Sequence, residues 1–350
     1  MKVLVINPGA TSTKISVFEE SEEIRKANIA HSAEDLMPFA KVVDQKDYRL
    51  GLITDTLAEM GFELSDFSAI CARGGLLRHI PSGTYRVTDK VIADATNAPF
   101  GEHASNLGVI LAKELGDRVS IPAFFVDPVS VDEMQDLARF SGYKGFERQS
   151  FFHALNHKGM ARRAAAQLGK AYEEVNLIVT HLGGGVSTAA HMKGRVVDVF
   201  NVKDDGAFSV DRGGALPTNA LINYCFSGKT KEEVKKEFAS CAGVFSYLGT
   251  RDFLDVELKA IAGDEECAKV FDAFVYQQCK DIGAMAAVMC MEVDAIVLTG
   301  GMAYSKKLVA DFEARVGKIA PIIVLPGEAE MRSLAEGAFR VLHGGKASEY

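Results

Sequence analysis

Two stretches of this chain follow one plan: a short apolar strand, a glycine turn, small hydroxyl residues, and a returning strand. The first, residues 3–18, runs through Asn7-Pro-Gly-Ala-Thr11-Ser12-Thr13-Lys14. The second, residues 177–192, runs through His181-Leu-Gly183-Gly184-Gly185-Val-Ser187-Thr188. Such a turn can hold a phosphate, because no Cβ blocks the approach and backbone N–H dipoles converge on the anion. Taken alone, the first stretch reads more readily as a plain hairpin, since most such turns hold nothing. The two starts lie about half the chain apart, and that internal similarity argues for duplicated domains, each giving one phosphate-facing hairpin to a shared cleft.

Other chemistry-bearing residues fall at strand ends. Arg73 closes the apolar run 69–72 and precedes two glycines, where open α/β sheets bind ligands, although a surface ion pair explains it equally. Asp127 leaves the strand 121–126, held in an extended or turn conformation by Pro128; it can equally cap a helix over 129–138. His153 and His157 stand at i, i+4 on a helix over 151–166, but no third ligand supports a metal there, and core packing is the plainer explanation. Arg212 lies in the glycine-rich loop 211–217. Thr299-Gly300-Gly301 ends the strand 295–298 and suits the close approach of a nucleotide, and Gly327-Glu328-Ala329-Glu330 follows the strand 321–326. Gly228-Lys229-Thr230 resembles the end of a P-loop, but Asn223 stands at its first glycine and a helix precedes it, so it is set aside.

The elements that position these residues read as strands alternating with helices at 47–59, 99–115, 218–226, 231–239, 272–291 and 331–342, with a charged turn or edge at 19–26. At 350 residues two domains are expected. A net charge of −8 argues against nucleic acid and anionic membranes as partners. The apolar N-terminal run is too short for a secretory leader, and the longest uncharged apolar stretch, 282–291, is about half a membrane span. A soluble, cytoplasmic protein is the expectation. The six cysteines show no C-x-x-C pair and read as reduced core thiols. The helix 272–291 suits a domain core or a subunit interface, which suggests a homo-oligomer, a dimer or a multiple of dimers.

Together these features resemble the actin-like superfamily of kinases and ATPases and, within it, the acetate and butyrate kinases. Asn7-Pro-Gly-Ala-Thr-Ser-Thr-Lys14, Arg73-Gly-Gly-Leu-Leu77, Phe152-His153-Ala-Leu-Asn156, His181-Leu-Gly-Gly-Gly-Val-Ser187, Tyr247-Leu-Gly-Thr250 and Pro326-Gly-Glu-Ala-Glu-Met331 are similar to the butyrate kinase wording, over essentially the whole chain. The resemblance implies an α/β fold of two duplicated actin-like (ribonuclease H-like) domains with the nucleotide and substrate cleft between them. Residues 1–149 would form the first and 150–330 the nucleotide-binding second, with the helix 331–350 packing back on the first. It implies ATP or ADP with Mg2+ as cofactors and a small carboxylate as the partner substrate.

By the same resemblance Asn7 lies near metal and phosphates, and Arg73 and Arg212 hold the acid and the transferring phosphoryl group. Asp127 matches the catalytic aspartate, while His153 and His181 are the histidines at the phosphoryl group. Thr11, Ser12, Thr13 and Lys14 face phosphate, Gly183, Gly184, Gly185 and Ser187 cradle the nucleotide phosphates, and Asp252, Thr299, Gly300 and Gly301 lie near the adenosine. The metal set is Asn7, Asp127 and either Glu328 or Glu330. Ala329 between the glutamates and Gly213 after Arg212 depart from the family pattern. The implied reaction is phosphorylation of butyrate by ATP; isobutyrate, propionate or acetate is the alternative acid, and an actin-like ATPase without a metabolic role is the rival class. A carboxylate nucleophile is already ionised at neutral pH, so Asp127 is assigned to positioning and magnesium electrostatics rather than proton abstraction.

Overall fold

The computed structural model describes residues 1–201, 203 and 205–350, and the chain divides into two compact units. The first comprises Met1–Asp132, Ala154–Gly159 and Ala329–Tyr350, and the second Glu133–His153 and Met160–Glu328. The residue pair 149/150, expected as the boundary, lies inside the first segment of the second unit.

In chain order the elements are β1 (Lys2–Pro8), β2 (Ser12–Glu19), β3 (Glu22–Ala30), α1 (Ala33–Leu36), α2 (Lys46–Glu59), β4 (Ala69–Arg73), β5 (Thr84–Arg86), α3 (Asp89–Asn97), α4 (Asn106–Arg118), β6 (Ala123–Val126), α5 (Ala154–Gln167), β7 (Asn176–Leu182), β8 (Val186–Met192), β9 (Arg195–Phe200), α6 (Thr218–Cys225), α7 (Lys231–Ser240), α8 (Gly243–Leu248), α9 (Phe253–Ile261), α10 (Glu265–Val288), β10 (Ala295–Gly300), α11 (Lys306–Val316), β11 (Ile322–Pro326) and α12 (Glu330–Leu342). The first unit's sheet has the order β3-β2-β1-β4-β6-β5, and the second unit's, taken from β9, runs β9-β8-β7-β10-β11. Both open with two antiparallel pairings and continue with two parallel ones, so the repeat seen in the hairpins extends across each sheet.

Burial on both faces explains why β1 reads as a continuous apolar run rather than an alternating one. Leu4 and Ile6 face a core completed by α2, α3 and α4, while Val3 and Val5 face Phe124, Val126 and the α12 residues Leu334 and Ala338. In the second unit β7 and β8 give Ile178, Leu182 and Ala190 to a core with Phe271, Phe274, Ile282 and Met285 of α10. That helix is a core element, so its apolar face supplies no argument for an oligomer.

The charged stretch 19–26, read as a turn or edge, is both: a turn follows β2, and β3 then pairs with it as a solvent-washed edge, where burial imposes no apolar alternation. Two local expectations change. Helix α5 starts at Ala154 with His153 at its N-cap, so His153 and the fully buried His157 do not share a helix face. No α-helix forms over 129–138, so Asp127 caps none.

Candidate active site

The parallel strands of the first unit end side by side: Ile6 lies opposite Ala72, and Arg73 opposite Val126. Asn7, Arg73 and Asp127 therefore leave the sheet at one carboxyl edge. Gly75 lets the chain after Arg73 press against α4, since a Cβ there would overlap Asn106. Glu330 at the start of α12 joins the group; its Oε2 accepts from Asn7 Nδ2 at 2.7 Å and from Arg73 Nη1 at 3.1 Å. Arg73 Nε and Nη2 make no hydrogen bond among the described residues, so one edge of the guanidinium fork is left for an anion. Asp127 is 1% exposed, and its Oδ1 accepts from Ser82 Oγ at 2.6 Å and Gly83 N–H at 2.8 Å. Its φ of +39° is a left-handed conformation, uncommon outside glycine and frequent at functional sites.

Around the first turn, Thr11 and Lys14 have exposed side chains and Ser12 is half-buried. Thr13 is fully buried, its Oγ1 occupied by His31 Nε2 at 2.8 Å and Arg49 Nη1 at 2.9 Å. Only its backbone is left to face a ligand. His103 is a site neighbour passed over in the sequence. Its Nδ1 accepts from Ser105 N–H at 3.1 Å, which leaves the proton on Nε2. Desolvation, and after it the Arg73 guanidinium, push its pKa below the usual imidazole value.

In the second unit β7, β10 and β11 likewise end together, with Thr299 opposite His181 and Gly300 opposite Pro326. His153 and His181 stack with ring centroids 4.0 Å apart, and His153 Nδ1 is hydrogen-bonded to Ser187 Oγ at 2.9 Å. His181 Nε2 lies 3.7 Å from Glu328 Oε1. Arg212 and His153 cover the second turn: a Cβ on Gly185 would stand 2.9 Å from Arg212 Nη1 and 3.6 Å from His153 Cε1. Gly184 faces open space.

Three other predicted positions have structural duties. Asp252 caps α9 by accepting from Asp255 N–H at 3.1 Å. Thr299 is buried, its Oγ1 donating to Gly327 O at 3.1 Å. Gly300, at φ +90°, packs against Leu182, where a Cβ would overlap the Leu182 carbonyl. Gly301 alone of that trio is exposed.

Each unit thus carries its own set: Asn7, Arg73, Asp127 and Glu330 in the first, and His153, His181, Ser187, Arg212 and Glu328 in the second. The two glutamates separate between them. Oxygen donors of the first set suit a hard divalent cation: Asn7 Oδ1 and Glu330 Oε1 make no hydrogen bond among the described residues. Among the described residues no three His, Cys, Asp or Glu side chains converge as a metal cage.

The sequence profile of the acetokinase family matches residues 142–318. The chain belongs to the acetokinase family. Members of that family are phosphotransferases of the carboxylate kinase type that use ATP and ADP. Among solved structures, the acetate kinase of Porphyromonas gingivalis superposes with a TM-score of 0.82 at 20% identity, covering 97% of this chain and 99% of that one. A propionate kinase from Francisella tularensis subsp. tularensis SCHU S4 gives 0.75 at 17% identity, covering 96% and 98%. The acetate kinase of Entamoeba histolytica gives 0.76 at 15% identity, covering 97% and 99%. At these identities the likeness carries the fold, an α/β acetokinase architecture of two domains. Among the described residues no helix is long and apolar enough to cross a membrane.

Proposed function

We propose that this acetokinase phosphorylates a short-chain carboxylate with ATP, reversibly, and that butyrate is its preferred acid. The observation that carries the carboxylate assignment is Arg73: one nitrogen is tied to Glu330, while Nε and Nη2 present a planar two-donor edge. That edge matches both oxygens of a carboxylate, a geometry lysine cannot offer. The butyrate assignment rests on the motif wording of residues 7–14, 73–77 and 326–331.

The acid is an anion at neutral pH, so no base need remove a proton. Its oxygen attacks the γ-phosphorus, the bond to the β–γ bridging oxygen breaks, and ADP departs with that electron pair. The obstacle is repulsion between two anions, and the remedy is fixed positive charge with in-line geometry. Arg73 holds the acid, Arg212 and the His153–His181 pair receive charge on the transferring group, and the Gly183–Gly185 turn and Ser187 take the nucleotide phosphates. Asn7 and Glu330 are the residues we assign to Mg2+, with Glu328 left beside His181. When bound, the ion supplies charge neutralisation on the nucleotide phosphates. Asp127, fixed through Ser82 and Gly83, orients this edge of the sheet rather than shuttling a proton.

Acetate or propionate is the second possibility, favoured by the fold likeness to acetate and propionate kinases. One methylene is worth only about 1–3 kcal/mol of discrimination, so pocket volume decides between them. The test is trapping of acyl phosphate with hydroxylamine across straight and branched C2–C6 acids, with ATP and Mg2+ supplied. Butyrate should give the highest kcat/KM. A maximum at acetate or propionate would replace butyrate while keeping the reaction, and no hydroxamate with any acid would remove the carboxylate kinase assignment.

A further inference from the structure

Arg49, on α2, is 0% exposed, and no carboxylate lies within ion-pair distance of it among the described residues. Its partners are five neutral oxygens. Nη1 donates to Gly9 O at 3.0 Å, Ser12 O at 3.3 Å and Thr13 Oγ1 at 2.9 Å. Nη2 donates to Ala10 O at 3.4 Å and Gln45 Oε1 at 2.8 Å, and Nε donates to the same Gln45 oxygen at 3.1 Å. Three of those oxygens are carbonyls of the first hairpin's turn.

We infer that Arg49 is the positioning residue that sets this turn as an anion nest, holding its carbonyls inward so that its N–H groups present outward to a phosphate. The inference rests on the carboxylate kinase assignment and deepens it. In a planar trans peptide the C=O of one residue and the N–H of the next point in opposite directions. With Gly9 O and Ala10 O drawn onto the guanidinium, the N–H groups of Ala10 and Thr11 face away from it. Neither N–H makes a hydrogen bond among the described residues. Successive outward N–H groups of this kind form an anion-binding concavity.

Electrostatics act in the same direction. A buried guanidinium that meets only neutral oxygens leaves its charge uncompensated, a costly state unless an anion approaches. Burial lowers the pKa of Arg49 without bringing an arginine near neutrality. A phosphate at the turn therefore meets dipoles and a full positive charge behind them.

The surrounding hydrogen bonds fix the orientation. Arg49 has only donors, so Thr13 Oγ1 accepts from it and turns its own hydrogen to His31 Nε2, which must be an acceptor. His31 then carries its proton on Nδ1 and points it toward Tyr48 Oη at 3.4 Å. Burial first, and then the charge of Arg49, depress the His31 pKa to about 4, so the ring stays neutral and the order of the chain holds at neutral pH.

The test compares the wild type with Arg49→Lys and Gln45→Leu, using kinetics with hydroxylamine trapping and amide exchange with MgADP as the probe. Arg49→Lys keeps a positive charge but cannot reach several carbonyls at once. It should fold cooperatively, lose kcat/KM for ATP at least tenfold, leave KM for the acid within about twofold, and lose MgADP protection at residues 9–12. Gln45→Leu, which frees the guanidinium from its orienting acceptor, should show a smaller loss in the same direction. A tenfold or greater gain in turnover of Arg49→Ala on adding guanidinium, with none from ammonium at equal ionic strength, would add support. Wild-type kinetics in Arg49→Lys, or equal losses in acid KM and ATP KM, would overturn the inference. An inactive wild type would instead overturn the carboxylate kinase assignment, and MgADP protection of residues 9–12, present in wild type and absent in Arg49→Lys, would still decide the role of Arg49.

Discussion

The two hairpins share a plan and differ in what shapes their turns. The first turn spans four residues between the pair Pro8 and Thr13, and the second spans three between Leu182 and Val186. In the second, the shape follows from missing side chains: a Cβ at Gly183 would stand 2.8 Å from His181 Nε2, and one at Gly185 2.9 Å from Arg212 Nη1. In the first, glycine matters little, because a Cβ at Gly9 would meet Ser12 O at 3.4 Å and Ser12 Oγ at 3.9 Å, both ordinary contacts. There an added side chain, Arg49, draws the carbonyls inward. One backbone plan is thus held open by subtraction in one copy and by a buried cation in the other.

The sharpest break of this comparison removes the side chains that the two sites present. Arg73→Ala and Arg212→Ala should each lower kcat by about 10³-fold or more, by analogy with arginines in other phosphoryl transfers, while Kd for MgATP changes severalfold at most. Titration calorimetry beside steady-state rates checks this, and near-normal turnover in either variant would contradict its assignment.

A glycine scan probes the difference directly. Gly185→Ala should cost about 100-fold in kcat/KM for ATP, because a methyl group there shifts the Arg212 guanidinium. Gly184→Ala, which faces open space, and Gly9→Ala should each stay within about threefold. Equal losses at Gly9 and Gly185 would erase the proposed distinction between the turns.

Glu330→Gln is expected to act through the metal. The Mg2+ concentration for half-maximal rate should rise about tenfold as the carboxylate charge is lost, in line with the cost of altering groups around a metal. An unchanged Mg2+ dependence would move the metal assignment to Glu328.

The smallest effect concerns stability alone. Burial pushes Asp281 on α10 up to about 7, although it accepts from Ala207 N–H at 2.8 Å. Between the unfolded carboxylate value near 4 and the folded value, the folded chain keeps a proton that the unfolded chain has lost. Stability therefore falls as pH rises through that window. Asp281→Asn should flatten the slope and stabilise the protein at pH 8 by about 1 kcal/mol, seen in denaturant unfolding at pH 5 and pH 8. Parallel slopes in the two proteins would contradict the shift.

These differences also explain what the sequence reveals. Strand ends carrying Asn7, Arg73, Asp127, His181 and Thr299 are legible because a buried parallel strand reads as a short apolar run and a glycine or proline marks its exit. The glycine turn at 183–185 announces itself for the same reason. Arg49 does not, since on an amphipathic helix an arginine looks like any solvated residue until tertiary packing buries it. β3 is legible only as a charged turn or edge, without its bounds, because an exposed edge strand needs no apolar period. Thr299 and Asp252 stand in motifs that suggest a ligand, yet their side chains serve Gly327 and the start of α9, local duties that a motif does not separate from binding.

The most direct measurement of the central claim is phosphorus NMR of the wild-type protein with butyrate, MgATP and no trapping agent. The account predicts that the γ-phosphorus of ATP passes to an acyl phosphate resonance in step with ADP formation, and that added acyl phosphate and ADP regenerate ATP. Release of inorganic phosphate at the rate of ADP formation, with no acyl phosphate from butyrate or any other short acid, would contradict it.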